Sequence, residues 1–312
     1  MRHDDAIRRR VLRAIRLNRT PGYHFPGNFL ELSFDHVASA DTCISFETGP
    51  HCADAHGGAD IASLAMLADF ALGTAVRADL DPATRLATVS MTLELTAAPR
   101  IGIVSAASRC HGFLGEGDGR IGRSRVVIDG PGGEIGYGSG AFMVLKPPPH
   151  VALHPVPLRK RGDADPPALA ESELGPDELR LLRHADEAFA RAAKARQPFI
   201  RHFWGFLPEV ARGAASCVMA NGPHVGNRVG HAQGGILLGL AASTASAALP
   251  SSWMLSTITA AFISPGEGPA LKAEARVLHH GRRLTVVRTE VTRGDGRRVL
   301  EVMSTHTQRP PQ

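Results

Sequence analysis

The sequence has few cysteines, few aromatic residues and few lysines. Cys43, Cys52, Cys110 and Cys217 are scattered without a C-x-x-C pair, which argues against a zinc site and a disulfide framework, so we expect reduced thiols and no metal. Only 5% of the residues are aromatic, and no helix-turn-helix, zinc-finger or RNP motif is visible. These absences argue against a nucleic-acid partner, although the net charge of +5, which comes mainly from arginine, favours anionic partners in general.

Signal, membrane and nucleotide-binding segments are also missing. The N-terminal MRHDDAIRRRVLRAIRLN lacks the continuous apolar region of a secretory signal and instead predicts an amphipathic helix that packs on a neighbouring domain. No apolar run is long and uninterrupted enough to cross a bilayer, and no G-x-S-x-G supplies a serine nucleophile elbow. GDGRIG at 117–122 lies between two predicted strands rather than opening a helix, so it does not indicate a dinucleotide site. We therefore expect a cytoplasmic protein without stable membrane insertion.

Hydrophobic patterning predicts strands, one buried helix and then an antiparallel meander in the first half. The segments NFLELSFDHV and DTCISFET alternate as strands do, and an apolar segment from Ala59 to near Ala75 predicts a helix that is buried on every side. Four further strands are predicted at LATVSMTLELTAAP, IGIVSAASRCHGF, RIGRSRVVIDG and EIGYGSGAFMVLK.

The second half repeats this order. A Pro-rich stretch and a helical pattern lead to the strand-like FIRHFWGFLPEVA and AASCVMAN, the apolar helix ILLGLAASTASAAL and a second four-strand meander. A Gly-Gly pair precedes each buried helix, at Gly57–Gly58 and Gly234–Gly235. We therefore predict a tandem duplication. Its parts are an N-terminal helix and turn at 1–27, a domain at 28–146, a linker with a helix at 147–198 and a domain at 199–309.

Asp69 is a carboxylate in the middle of the first predicted buried helix. A buried charge costs several kcal/mol (roughly) unless it is partnered or used. Burial alone leaves a structural and a functional interpretation of Asp69 equally open.

These landmarks resemble the hotdog-fold acyl-CoA thioesterases, in particular the PaaI-like branch. The resemblance rests on HGG at 56–58, LADFALG at 67–73, ATVSMTLELTAAP and GNRVGHAQGG at 226–235. It implies an α+β fold of two tandem hotdog domains, each a long buried helix wrapped by an antiparallel β-sheet, forming an intrachain pseudo-dimer. It also implies an acyl-CoA substrate, no cofactor beyond the CoA moiety, and a chain that works alone or pairs again as a homodimer.

In that family the acidic residue and the Gly-Gly amides of one site come from different partners. Helix geometry agrees, since on one helix Asp69 would lie on the order of 16 Å from its own Gly-Gly pair. The resemblance thus implies a site that combines Asp69 with Asn227, Gln233, Gly234 and Gly235, where Gln233 replaces the histidine of the family.

The second site implied by the resemblance would combine His56, Gly57 and Gly58 with Ala242. Ala242 stands where the family has its acidic residue, so we interpret this site as a relic. One spacing departs from the family: Asp69 follows His56 by thirteen residues instead of nine. An extra turn at the helix start, with Asp60 near the entrance, would reconcile it.

Thioester hydrolysis gives these residues specific roles. Asp69 would act as general base on water or as a nucleophile that forms a transient anhydride. The amide of Gly234 or Gly235 would bind the oxyanion, while Asn227 and Gln233 would orient the water or the carbonyl oxygen.

Substrate contacts are expected from two further pairs of residues. Thr88 and Ser90, on the strand after the first buried helix, could reach the acyl group, and Arg282 and Arg283 at a predicted turn could bind the CoA phosphates. Two other classes stay open. One is a non-catalytic acyl-CoA-binding or regulatory hotdog protein, and the other is a hotdog dehydratase or hydratase that uses His56 or His231.

Overall fold

The computed structural model describes residues 3–22, 24–82, 84–146 and 153–309. The first half consists of α1 (His3–Asn18), α2 (Phe25–Leu30), β1 (Ser33–Val37), β2 (Thr42–Glu47), α3 (Ile61–Arg77), β3 (Arg85–Leu95), β4 (Ile103–Leu114), β5 (Ile121–Gly130) and β6 (Gly133–Leu145). The second half consists of α4 (Pro176–Ala195), α5 (Phe199–Trp204), β7 (Glu209–Ala211), β8 (Ala214–Ala220), α6 (Gly234–Ala247), β9 (Trp253–Phe262), β10 (Ala270–His280), β11 (Leu284–Arg293) and β12 (Arg298–Gln308). The order of helices and strands is the same in both halves, and it also pairs α1 with α4 and α2 with α5.

All of these strands form one sheet that runs through both halves. Its order is β1-β2-β4-β5-β6-β3-β9-β12-β11-β10-β8-β7, so the two halves join where β3 pairs with β9 in antiparallel fashion. At the centre of that pair Thr92 lies opposite Thr259, and their hydroxyls are 3.3 Å apart. The sheet order reads the same from either edge, which makes the chain an intrachain pseudo-dimer with its axis at this threonine pair.

The helices α3 and α6 lie together on one face of this sheet and run antiparallel. A Cβ added to Gly239 would come within 2.3 Å of Ala62 near the start of α3, whereas one added to Gly235 would come within 2.5 Å of the Met66 backbone further along. Such close approach is possible because glycine and alanine dominate the contact. The apolar side chains of both helices are buried, as the sequence predicts for helices that are covered on every side.

The prediction of strands in two segments was wrong. FPGNFL forms α2 and FIRHFW forms α5, although the sequence suggested strands that begin at Asn28 and at Phe199. The reason is aromatic packing at helical spacing: Phe25 stacks on Phe29, Phe199 stacks on Phe203, and Phe29 packs against Phe203 with ring centroids 4.8 Å apart. The two short helices therefore meet in a shared aromatic cluster, and β1 begins only at Ser33.

The N-terminal helix α1 packs on the fold as expected, since Val11, Ala14 and Ile15 are buried and α1 contacts α2 and α4. Residues 147–152 of the predicted Pro-rich linker lie outside the described residues, and 153–170 contain no helix or strand. Within the described chain no helix is long and apolar enough to span a membrane.

Candidate active site

The Asp69 side chain emerges from the middle of α3 at the contact with α6. It is 9% exposed, because the apolar residues around it on α3 pack into the core. At Gly234, the first residue of α6, a Cβ would lie 3.0 Å from the Asp69 Oδ2 atom. The carboxylate of one half thus meets the helix N-terminus of the other half.

Three groups donate hydrogen bonds to the Asp69 carboxylate. The Thr88 hydroxyl donates to Oδ1 at 3.0 Å, the Gln233 Nε2 donates to Oδ2 at 2.7 Å, and the Gly235 backbone N–H also donates. Burial nevertheless raises the pKa of Asp69 to about 6, while the three donors partly offset this effect by favouring the charged form. The carboxylate is therefore mainly ionised at neutral pH and close to the range in which it exchanges protons.

Gln233 is engaged at both ends of its amide. While Nε2 holds Asp69, Oε1 accepts a hydrogen bond from the Ile236 N–H at 2.9 Å and so caps α6. The expected contact of Gln233 with Asp69 is present, and its geometry is that of a residue that positions the carboxylate.

Gly234 leaves one backbone donor free. Its N–H has no hydrogen-bond partner within the part of the chain that the structure describes, as is usual in the first turn of a helix. Gly234 also lines the cavity beside Asp69. A helix-N-terminal N–H of a residue that lines a cavity beside a carboxylate is suited to act as an oxyanion donor.

The site opens into a cavity of about 480 Å³. Its walls come from α3, β3, the end of β6, the loop before α6 and the turn after β9. The lining includes both polar groups of the site and apolar side chains such as Phe70, Phe142, Leu237 and Phe262. This mixture of apolar wall and few polar groups suits an organic ligand.

Asn227 lies along the same cavity but supports a loop. Its Oδ1 accepts hydrogen bonds from the N–H groups of Val229 (2.9 Å) and His231 (3.1 Å). In the first half, Asp54 does the same for His56 and Gly58, at 2.8 and 3.2 Å.

This correspondence corrects the alignment of the two halves. Gly57 and Gly230 both have φ of 81° in the equivalent turn, so Gly57–Gly58 matches the loop before α6 and not Gly234–Gly235. The residue equivalent to Gln233 is Asp60, which caps α3 by accepting from the Ala62 N–H at 2.8 Å.

The same correspondence explains the thirteen-residue spacing. Asp69 follows Asp60 by nine residues, as Ala242 follows Gln233, so the register expected for the family is kept. The second site therefore contains Asp60 and Ala242, whereas the amides of Gly57 and Gly58 bond to Asp54 and do not head a helix.

The second site lacks the threonine as well. Strand β3 has a bulge at Val89 and strand β9 has one at Ser256, because the register with the neighbouring strand shifts there. Thr88 precedes the first bulge and Leu255 precedes the second. Both the carboxylate and the hydroxyl of the first site are thus replaced by apolar side chains in the other half.

The bulge also separates the two expected acyl contacts. It breaks the alternation of side chains, so Thr88 and Val89 both line the cavity. Ser90 lies on the opposite face of β3 with Thr92, and it does not reach the cavity.

Arg282 and Arg283 lie on the exposed turn between β10 and β11. That turn is near Trp253 at the start of β9, since His280 contacts the Trp253 ring, whereas the cavity lies at Phe262, where β9 ends. The length of the strand, about 30 Å for ten residues, separates the two arginines from the cavity.

Sequence analysis missed four basic residues that line the cavity. They are His24, Arg77, Arg85 and Arg228. Arg77 follows Asp69 by eight residues, or about two helical turns, which places both on one face of α3. The spacing between Asp69 and Arg77 was the signal that could have placed Arg77 in the site. His24 immediately precedes α2, a helix that the sequence did not predict. Among the described residues no group of three or more His, Cys, Asp or Glu is placed to hold a metal.

Residues 223–307 match the family model of the acyl-CoA thioesterase N-terminal domain. This part of the second half is thus similar to an acyl-CoA thioesterase domain. The matched segment includes α6 and β9–β12, and it contains Gln233 and Gly234. No match was found among curated proteins.

Solved structures show the same fold over nearly the whole chain. A candidate oleoyl thioesterase from Lactobacillus plantarum is 11% identical, with a TM-score of 0.54 over 88% of this chain and 98% of its own. The 12:0-ACP thioesterase from Umbellularia californica is 10% identical, with a TM-score of 0.53 over 86% and 94%. A protein of unknown function with a hot dog fold from Alicyclobacillus acidocaldarius is 12% identical, with a TM-score of 0.51 over 90% and 96%. The chain therefore has the hotdog fold.

Proposed function

We propose that the protein hydrolyses an acyl-CoA thioester to the free acid and CoA, at one site per chain that both halves build. The observation that supports this most strongly is the meeting of the Asp69 carboxylate with the N-terminus of α6 at the wall of a cavity of about 480 Å³. The match of residues 223–307 to an acyl-CoA thioesterase domain favours the same reaction.

In the reaction, the thioester carbonyl oxygen accepts a hydrogen bond from the Gly234 N–H, and the dipole of α6 stabilises the oxyanion. Asp69 takes a proton from a water molecule that attacks the carbonyl carbon, or attacks that carbon itself to form an anhydride that water then opens. In both routes the C–S bond breaks, and the sulfur leaves as the CoA thiolate and gains a proton.

The neighbouring side chains position these groups. Thr88 and Gln233 hold the carboxylate by its two oxygens, so its orientation toward the carbonyl carbon is fixed before the substrate binds. Asn227 shapes the loop that brings Arg228 and His231 to the cavity. A cytoplasmic location and the pairing of two chains through their sheets stay predictions.

Replacement of Asp69 tests the proposal. We expect Asp69→Asn to lower the rate of CoA release from hexanoyl-CoA by about 10²–10⁴-fold, because the amide can neither accept the proton nor attack. Chromatography of released CoA is the measurement, since the chain has its own free thiols. The matched control is Asp60→Asn, which makes the same substitution at another buried carboxylate, at the start of α3, and should leave the rate unchanged.

The two ways in which this test can fail have different meanings. CoA release that is unaffected by Asp69→Asn would place the reaction elsewhere in the chain. Tight binding of acyl-CoA without release by the unaltered protein would contradict hydrolysis and favour the non-catalytic binding protein.

A further inference from the structure

Three arginines line the cavity, Arg77, Arg85 and Arg228, and two of them, Arg77 and Arg228, are close enough for the charge of one to affect the other. Arg77 at the end of α3 and Arg228 in the loop before α6 both line it. The Arg77 guanidinium donates to the Thr84 carbonyl oxygen at 2.5 Å, and that of Arg228 donates to the His154 carbonyl oxygen at 2.8 Å. Neither has an ion pair with a carboxylate among residues 3–22, 24–82, 84–146 and 153–309.

The two positive charges are also near each other. Burial, together with the charge of Arg228, lowers the pKa of Arg77 to about 10, and arginine side chains stay protonated at neutral pH. Burying two like charges together is unfavourable unless an anion joins them.

A further basic group completes this end of the cavity. His24 stacks on Phe70 with ring centroids 4.8 Å apart, and its Nδ1 is a buried polar atom without a hydrogen-bond partner. Burial, together with the charge of Arg228, lowers the pKa of His24 to about 3. The imidazole is therefore neutral at neutral pH.

From these contacts we infer an anion-binding subsite, formed by Arg77 and Arg228 with His24 at its wall, that takes a negatively charged group of the thioester substrate. The inference rests on the proposed function, because the same cavity holds Asp69. Guanidinium groups bind carboxylates and phosphates through paired N–H donors. The anion is therefore either a carboxylate at the far end of the acyl group or a phosphate of CoA.

The positions of Asp69 and Arg77 along α3 set the distance between the reacting carboxylate and the anion-binding subsite. Eight residues separate Asp69 from Arg77, which corresponds to about 12 Å along the helix axis. The Arg77 side chain spans part of that distance. A carboxylate several carbons from the thioester carbon would meet the guanidinium while the carbonyl lies at Asp69.

The test measures binding rather than turnover, in the Asp69→Asn background. Four thioesters serve as probes: hexanoyl-CoA and adipoyl-CoA, which differ only in a terminal methyl or carboxylate, and the same acyl groups on pantetheine, which lacks the phosphates. Calorimetry gives the Kd of each for the parent and for the added substitutions Arg77→Gln and Arg228→Gln. Arg276→Gln, on an exposed part of β10, is the control.

If the subsite takes an acyl carboxylate, each arginine substitution raises the Kd of both adipoyl esters by about 10-fold or more and leaves the hexanoyl esters unchanged. If it takes a CoA phosphate, the Kd rises for both CoA esters and not for the pantetheine esters. Arg77→Lys, which keeps the charge, should restore part of the binding in either case.

The inference is overturned if Arg77→Gln and Arg228→Gln leave every Kd unchanged, or if no probe binds the parent. It is also overturned if all four Kd values rise equally, because hexanoyl-pantetheine carries no anion and would then report a structural change. Turnover by the unaltered protein is measured in parallel. Arginine-dependent binding without CoA release would contradict the proposed reaction but leave the subsite standing.

Discussion

The side chain of Asp69 combines burial with three hydrogen-bond donors, and these have opposite effects on its pKa. Burial is the larger effect, so the pKa rises to about 6 from the 3.8 of an exposed aspartate. A group that must lose its proton to work would then limit the reaction in mildly acidic solution.

We expect kcat/KM to fall about tenfold per pH unit below pH 6 and to level off above it, because only the ionised carboxylate of Asp69 reacts. The measurement is the rate of hexanoyl-CoA hydrolysis between pH 4.5 and 8.5. In Thr88→Val, which removes a donor to the charged form, the acidic limb should move to higher pH. If the acidic part of the pH–rate profile is the same in Thr88→Val as in the unaltered protein, a group other than Asp69 controls the rate in acid.

Asp60 allows a separate prediction about stability. Burial raises its pKa to about 6, above the unfolded value, so the folded chain loses stability as the pH rises from about 4 to about 6. Asp60→Asn removes this cost while its amide oxygen can still cap α3. We expect a gain at pH 8 on the order of 1–3 kcal/mol, which disappears below pH 4.

Chemical denaturation at several pH values measures this gain. Asp60→Ala is the control, because it removes the cap as well as the charge and should be less stable than Asp60→Asn by about 1 kcal/mol. A gain for Asp60→Asn that does not depend on pH would contradict the assignment of the cost to ionisation.

At the scale of helices and strands, the contact of α3 with α6 sets the geometry of the site. Gly235 and Gly239 bring the α6 backbone against α3, and this approach allows the Gly235 N–H to bond with Asp69. The distance between the helices therefore fixes the distance between the carboxylate and its donors.

We expect Gly239→Ala to destabilise the protein by about 1–3 kcal/mol, because the added Cβ would lie 2.3 Å from the Ala62 Cβ. Gly294→Ala is the control, since nothing lies within 4 Å of a Cβ there and its φ is not positive. Thermal unfolding compares the two variants. Equal melting temperatures would show that the helices can separate without cost.

Local sequence patterns were sufficient for most helices and strands. The apolar segment after Gly58 and the alternating segments of the meanders predicted α3, α6 and their following strands. The short helices α2 and α5 were missed because six residues are too few to show a helical period, and their aromatic side chains also suit strands.

The site was predictable where sequence spacing carried the information. Asp69 is visible in the sequence as a carboxylate in a buried helix, and the family resemblance paired it with Gln233 and Gly234. The structure places these three residues in contact. Gly57–Gly58 was misaligned because a similar glycine pair happens to lie in the preceding turn. Arg228 was overlooked although it directly follows Asn227 in the predicted site loop. His24 could not be assigned to the cavity, because tertiary packing alone brings its segment beside α3.

At the scale of the whole molecule, the two halves share a fold but not a site. The second half has Ala242 and Leu255 where the first half has Asp69 and Thr88. In the first half, Asp60 occupies the position that Gln233 has in the second half. It is a buried carboxylate at the start of α3. The chain is thus symmetric in its sheet and asymmetric in its chemistry.

We expect one molecule of acyl-CoA to bind per chain. Titration of the Asp69→Asn variant with hexanoyl-CoA in a calorimeter measures the stoichiometry without turnover. Two molecules per chain would mean that the second site still binds substrate, although it lacks the carboxylate and the hydroxyl.

The pairing of β3 with β9 joins the halves within a single polypeptide, and this affects how the protein can change over time. In a symmetric pair of identical chains, each codon substitution appears at both sites, so a loss at one is a loss at both. In this chain α3 and α6 are encoded separately, so a substitution in α6 changes only one of the two helices. Selection could therefore discard the acidic residue of the second half while it preserved the helix start that Asp69 uses.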